Sequence, residues 1–136
     1  MTPDLTWLAW TAVLTAVLWI PFIVGQVMTL GVITASRYRD PTPPEMPAWV
    51  KRCDRAHLNA VESLAPFAVV VLVAHVAGAA NEMTATWAMI FFFARLAHAV
   101  VYWLGIPYLR TLVFAAGLIA TLGIFYEVIS MAPAAT

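Results

Sequence analysis

The chain has 136 residues, 63% of them hydrophobic and only 10% charged, with seven Lys and Arg balanced by seven Asp and Glu. A soluble domain would carry about 25% charged residues, so the composition describes an integral membrane protein with one domain, residues 1–136. The zero net charge excludes the basic field of a nucleic-acid partner, and the single Cys53 excludes an intrachain disulfide or a cysteine metal site.

The first apolar segment runs over about residues 5–33 and contains no charge. It is longer than the roughly 20 residues a helix needs to cross the hydrocarbon, and its Pro21 predicts a kink or tilt. "MTPDLTW" lacks a basic n-region, so a cleaved signal peptide is not expected. The connection that follows, residues 34–55, is the longest, and its "PTPPEMP" cannot continue a helix. It holds Arg37, Arg39, Lys51, Arg52 and Arg55, five of the seven basic residues. Three more spans are expected over about residues 56–80, 84–104 and 109–129. The result is an all-α bundle of four membrane helices, since no segment alternates with the period of a barrel strand.

The Lys and Arg bias sets the orientation. The first connection, and the third with Arg110, should face the cytoplasm, and both termini the opposite side. Arg37, Arg39 and Lys51 need be no more than topogenic charge, or contacts to anionic lipid. The short chain, rich in Ala and Val, points to a bacterial inner membrane.

On the second span Arg55, Asn59 and Glu62 are spaced i, i+4, i+7, which places them on one helix face. Pro66 should loosen the helix beyond them. On the third span Arg95, His98 and Tyr102 are spaced i, i+3, i+7, again on one face. The two spans run in opposite directions, so Glu62 and Arg95 reach comparable depth and could pair. Arg110 and Thr111 open the fourth span at the same end. His75 has no polar companions and reads as structural, and Glu127 should reach the far interface. Ionisable groups in a span are costly and want a partner helix or an aqueous pocket. A buried tie fixing helix register would need fewer arginines than this constellation holds, whereas an anionic ligand would use them all.

The segments "RCDRAHLNAVES" and "ARLAHAVVYWLGIPYLRT" resemble the signature segments of the MAPEG superfamily, membrane-associated proteins of eicosanoid and glutathione metabolism. The resemblance covers nearly the whole chain. It implies a homotrimer with sites between subunits, glutathione as co-substrate in a polar cleft open to the cytoplasm, and a hydrophobic substrate arriving from lipid. It implies that Arg55, Asn59, Glu62, Arg95, His98, Tyr102 and Thr111 contact glutathione and that Arg110 stabilises its thiolate. The expected reaction is thiolate attack on an electrophile, or thiol-dependent reduction of a peroxide. Leu58, Ser63, Phe114 and Leu118 depart from the polar or aromatic residues of some relatives, and each removes a possible contact to the thiol peptide. These departures favour an alternative, a non-catalytic membrane scaffold whose polar core is structural. A transporter is disfavoured because the polar stripes stop halfway across and no inverted repeat is visible.

Overall fold

A computed structural model describes residues 1–32 and 46–131. Arg37 and Arg39 lie outside the described residues. Among the described residues five α-helices follow in order: α1 Pro3–Val17, α2 Ile20–Leu30, α3 Ala48–Val76, α4 Glu82–Leu104 and α5 Pro107–Met131. There is no strand among the described residues. Four stretches are long and apolar enough to cross a membrane: Pro3–Leu30, comprising α1 and α2, then α3, α4 and α5. The shortest of them, α4 with 23 residues, is about 34 Å long at 1.5 Å per residue, against about 30 Å of hydrocarbon.

The sequence places the helix ends. Pro21 explains the break in the first span. A proline ring collides with the carbonyl four residues earlier; that residue is Val17, where α1 ends. The chain restarts at Ile20, where Pro21 sits harmlessly in the first turn of α2. Pro47 forms the N-cap of α3, and nothing after it opposes a helix. Residues 48–55 are therefore helical, so the connection expected over 34–55 is shorter than the sequence reading had it. Pro66 leaves α3 unbroken, although it removes the donor that would have bonded the Glu62 carbonyl.

The α3–α4 turn is closed by Asn81. Its side chain accepts from the Met83 and Thr84 amides at 2.7 and 3.0 Å, while Thr84 Oγ1 accepts from the Asn81 amide at 2.9 Å. The remaining amide donor, Asn81 Nδ2, gives a 3.0 Å bond to Glu127 Oε2 near the end of α5. Glu127 thus ties two helices together in addition to lying near a span end. His75 is exposed in the last turn of α3 and is not packed inside the apolar run.

Helix α4 is the centre of the bundle, packed against α1, α3 and α5. The main core joins Phe67 and Val71 of α3, Ala88 and Phe91 of α4, and Ala120 and Ile124 of α5. The Phe67 and Phe91 rings stack in parallel, 3.7 Å between centroids. Two smaller clusters, around Val50 and Cys53 and around Ala60 and Ala99, seat α2 and the end of α1. The outward faces carry exposed apolar residues such as Val69, Leu72, Ile119 and Leu122, as a lipid-facing surface requires.

Asn81 both caps α4 and holds α5. Replacing it with alanine should cost about 1–2 kcal/mol, read as a lower unfolding midpoint in detergent. Asn81→Ser should recover the cap but not the Glu127 bond, and fall between the two.

Candidate ligand cleft

Two recesses follow one another along the seam where α3, α4 and α5 meet. The first has a volume of about 290 Å³ and lies at the ends of these helices where the basic residues gather. Lys51, Arg52 and Arg55 of α3 line it, with Tyr102 of α4 and Arg110 of α5. No carboxylate lines it among the described residues. Arg52 is partly committed: its Nε donates to the Trp103 carbonyl at 3.0 Å, satisfying one of the free carbonyls at the end of α4. Gly105 closes that end with φ 75°, a left-handed turn that lets Pro107 begin α5 at once. The Arg110 guanidinium lies over the Tyr102 ring, 4.8 Å from its centroid. Such stacking holds the cation in place while leaving its N–H groups to bond elsewhere. A concave surface with four cationic side chains and no lining carboxylate suits an anion.

The second recess, a groove of about 460 Å³, is polar at one end and apolar along the rest. Asn59, Glu62, Ser63 and Arg95 form the polar end; Phe91, Phe114, Leu118, Leu122 and Phe125 make most of the walls beyond. The two recesses lie one helical turn apart on α3 and α5 and two turns apart on α4, where His98 stands between them. Arg55 is followed by Asn59, Arg110 by Phe114, and Tyr102 is preceded by His98.

Arg95 departs from expectation. It is 3% exposed, and it does not pair with Glu62. Its NH1 donates to Asn59 Oδ1 and Ser63 Oγ, both at 3.0 Å. Its NH2 donates to the Val113 and Phe114 carbonyls of α5 at 3.4 and 3.3 Å. The guanidinium also lies 5.5 Å from the Phe91 ring centre and 5.3 Å from that of Phe114. Depth was read correctly, but rotation about the helix decides the partner. At about 100° per residue, Ser63 is turned only about 40° from Asn59, whereas Glu62 is turned about 60° the other way. Arg95 meets the Asn59–Ser63 side, and Glu62 is exposed.

Gly117 makes this arrangement possible. A Cβ there would lie 2.5 Å from Arg95 NH2, so any other residue would displace the guanidinium. Ser63 was legible in part, since it stands four residues after Asn59 on the same face. Gly117 was legible only as a small residue that permits close helix approach, because its meeting with Arg95 depends on another helix.

The remaining expected site residues divide. His98 is buried, its ring edge-on to Tyr102 at 5.4 Å and tilted against Phe114 at 6.2 Å. It bridges the two recesses without lining either. Thr111 is exposed, bonds back to the Pro107 carbonyl and lines neither recess. Arg55, Tyr102 and Arg110 are brought together in the basic recess; Asn59, Glu62 and Arg95 share the groove. Lys51 and Arg52, read from sequence as loop charges, line the basic recess as well.

The Arg95 clamp predicts an asymmetry between neighbours. Ser63→Ala should lower stability by about 1 kcal/mol, the scale of an interhelical hydrogen bond in a bundle. Gly117→Ala should cost about 1–3 kcal/mol through overpacking. Glu62→Gln, which holds nothing of Arg95, should leave the unfolding midpoint in detergent nearly unchanged.

Comparison with curated proteins and with solved structures gives no match. A family model does match, over residues 5–130, nearly the whole described bundle, and the chain belongs to the MAPEG family.

Proposed function

We propose that this protein is a glutathione-dependent transferase or peroxidase that acts on hydrophobic electrophiles within the membrane. MAPEG proteins include glutathione-dependent enzymes of both kinds. The observation that carries the reading is the succession of the two recesses: a cationic, tyrosine-floored pocket set next along the seam to a largely apolar groove on the same three helices. Glutathione is an anionic tripeptide with a thiol, and its carboxylates suit arginine forks. A hydrophobic co-substrate suits the groove, whose exposed side would be reached from lipid.

In this reading Arg55 and Lys51 bind the peptide's carboxylates, and Arg110 sits beside the sulfur. A free thiol has a pKa near 8.5, and an adjacent cation lowers it. Arg110 cannot act as a base, because a guanidinium does not give up its proton. The thiol proton leaves to solvent, the thiolate forms a bond to the electrophilic carbon, and the leaving group departs with the displaced electron pair. Tyr102, beneath Arg110, fixes the cation, and His98 packs behind Tyr102. Arg95 acts at one remove, as a positioning residue: its NH1 and NH2 groups are bonded to protein acceptors, so it shapes the cleft wall and does not grip the ligand.

The same reading takes the assembly to be a homotrimer with subunits sharing the site, and the basic end to be cytoplasmic in a bacterial inner membrane. Exposed Arg55 and Glu62 on a membrane helix support an assembly, since such groups avoid lipid. The positive-inside bias supports the orientation.

A second reading, a non-catalytic scaffold, is favoured by one observation: the bonds from Arg95 go to Asn59, Ser63 and the α5 backbone, as a structural tie would have them. Calorimetric titration of detergent-purified protein with glutathione, followed by assay with a generic electrophile, separates the two. The enzyme reading expects saturable binding and conjugation in the wild type. It expects Arg110→Ala to lose at least about tenfold in turnover with the bundle still folded. Absence of both binding and conjugation at millimolar glutathione leaves the scaffold.

Arg110 also predicts a pH effect. With the cation present the thiolate persists to lower pH. Arg110→Ala should return the thiol toward its free pKa, so the pH profile of kcat/KM should move to higher pH, and the thiolate absorbance of the bound peptide should appear only at more alkaline pH.

A further inference from the structure

At the end of the bundle opposite the basic recess lies a cavity of about 550 Å³, where the first turns of α1 and α4 meet. Thr2 and Asp4 line it on one side; Ala80, Asn81, Glu82 and Thr86 line it on the other. Asp4 is 1% exposed, and its Oδ2 has no hydrogen-bond partner among the described residues. The Thr2 hydroxyl is likewise buried and without a partner. Glu82 stands exposed on the same cavity, and the Glu127 carboxylate is one hydrogen bond away, held by Asn81.

The five Lys and Arg among the described residues lie elsewhere. Lys51, Arg52 and Arg55 open α3, Arg95 is in the second half of α4, and Arg110 opens α5. Residues 132–136 add no basic side chain. His75, in the last turn of α3, does not line the cavity.

A carboxylate in the first turn of a helix is ordinarily explained by the helix dipole, which favours a surface anion by about 0.3–1 kcal/mol. Glu82 fits that account because it keeps its water. Asp4 does not, because burial strips hydration that the dipole cannot replace. A buried, unpartnered carboxylate in the wall of a space much larger than a water, whose share of liquid is about 30 Å³, calls for a cationic group on a larger molecule. The lining selects the kind of cation. It offers carboxylate, hydroxyl and amide oxygens and no aromatic ring. A primary ammonium, with three N–H donors, can bond to such a set, whereas a quaternary ammonium has no N–H and is recognised by aromatic faces.

We propose that this cavity binds a primary ammonium group, with Asp4 as its buried anchor and Glu82 at the rim. Its place at the end of the spans suits an aminophospholipid headgroup; a small free amine shares the chemistry. The site is independent of the glutathione reading, because it lies at the other end of the helices.

The test uses the full chain in nanodiscs of equimolar phosphatidylethanolamine, phosphatidylcholine and phosphatidylglycerol, released into native mass spectrometry. The wild type should retain phosphatidylethanolamine in preference to the other two. Asp4→Asn, which keeps shape and removes charge, should cut that retention by about tenfold, and Glu82→Gln should cut it less. In lipid-free detergent, millimolar ethanolamine should raise the unfolding midpoint of the wild type but not of Asp4→Asn if a free amine is the ligand; retention of the lipid without that response assigns the headgroup. Equal retention of the three lipids by wild type and Asp4→Asn, with no ethanolamine response, would overturn the proposal and leave Asp4 a structural residue.

Discussion

A guanidinium enclosed between membrane helices has to be solvated by the protein, and the arrangement around Arg95 follows from that need. The usual solution, a carboxylate partner, is absent among the described residues. Six groups take its place: the Asn59 amide oxygen, the Ser63 hydroxyl, two carbonyls of α5 and the faces of two phenylalanines. Each is weak alone, and all must be met together. The carbonyls that Arg95 reaches belong to α5 residues whose usual helical donors are Gly117 and Leu118, four residues on. Arg95 therefore shares acceptors with the helix it touches, which requires close approach, and the bare Cα of Gly117 allows it. One side chain thus fixes the rotation of α3 and the distance to α5.

The cleft inherits this geometry. With α3 turned so that Asn59 and Ser63 face inward, Arg55, one turn earlier, faces the basic recess, and Glu62 is left outside the clamp. With α5 drawn in at Gly117, Phe114 meets His98 and Arg110 comes to rest over Tyr102. The recess and the groove are consequences of one packing arrangement, so a change at the clamp moves both. This also explains how a residue can be indispensable to a site without touching what the site holds.

The composition and the apolar run lengths made four spans legible, and Pro21 made the break in the first one legible, because the steric rule about its i−4 carbonyl is local. The one-face stripes of α3 and α4 were also legible, and the structure places most of their residues along one seam. What failed was the choice of partner. Sequence spacing gives depth along a helix well, but the azimuth at which two helices face each other is set by packing, so Glu62 was favoured over Ser63. The start of α3 was missed because charged residues next to a proline-rich stretch read as loop, whereas after Pro47 they form ordinary helix. The contact of Gly117 with Arg95 and the lining role of Arg52 could not be found from sequence. Their significance arises only from helices that approach them in space.

The two ends of the bundle apply the same electrostatic rule with opposite sign. Where α4 ends, its free carbonyls meet Arg52, a cation suited to a helix C-terminus. Where α4 begins, Asn81 caps it and Glu82 supplies the anion suited to an N-terminus. The backbone accounts for these charges, and they would be placed as they are in a protein with no ligand. Two groups exceed that account. The basic recess adds Arg55 and Arg110 to a helix end that one arginine already serves, and Asp4 is buried where an exposed carboxylate would suffice. An excess of charge over what the fold itself requires is the physical ground for proposing a ligand at each end.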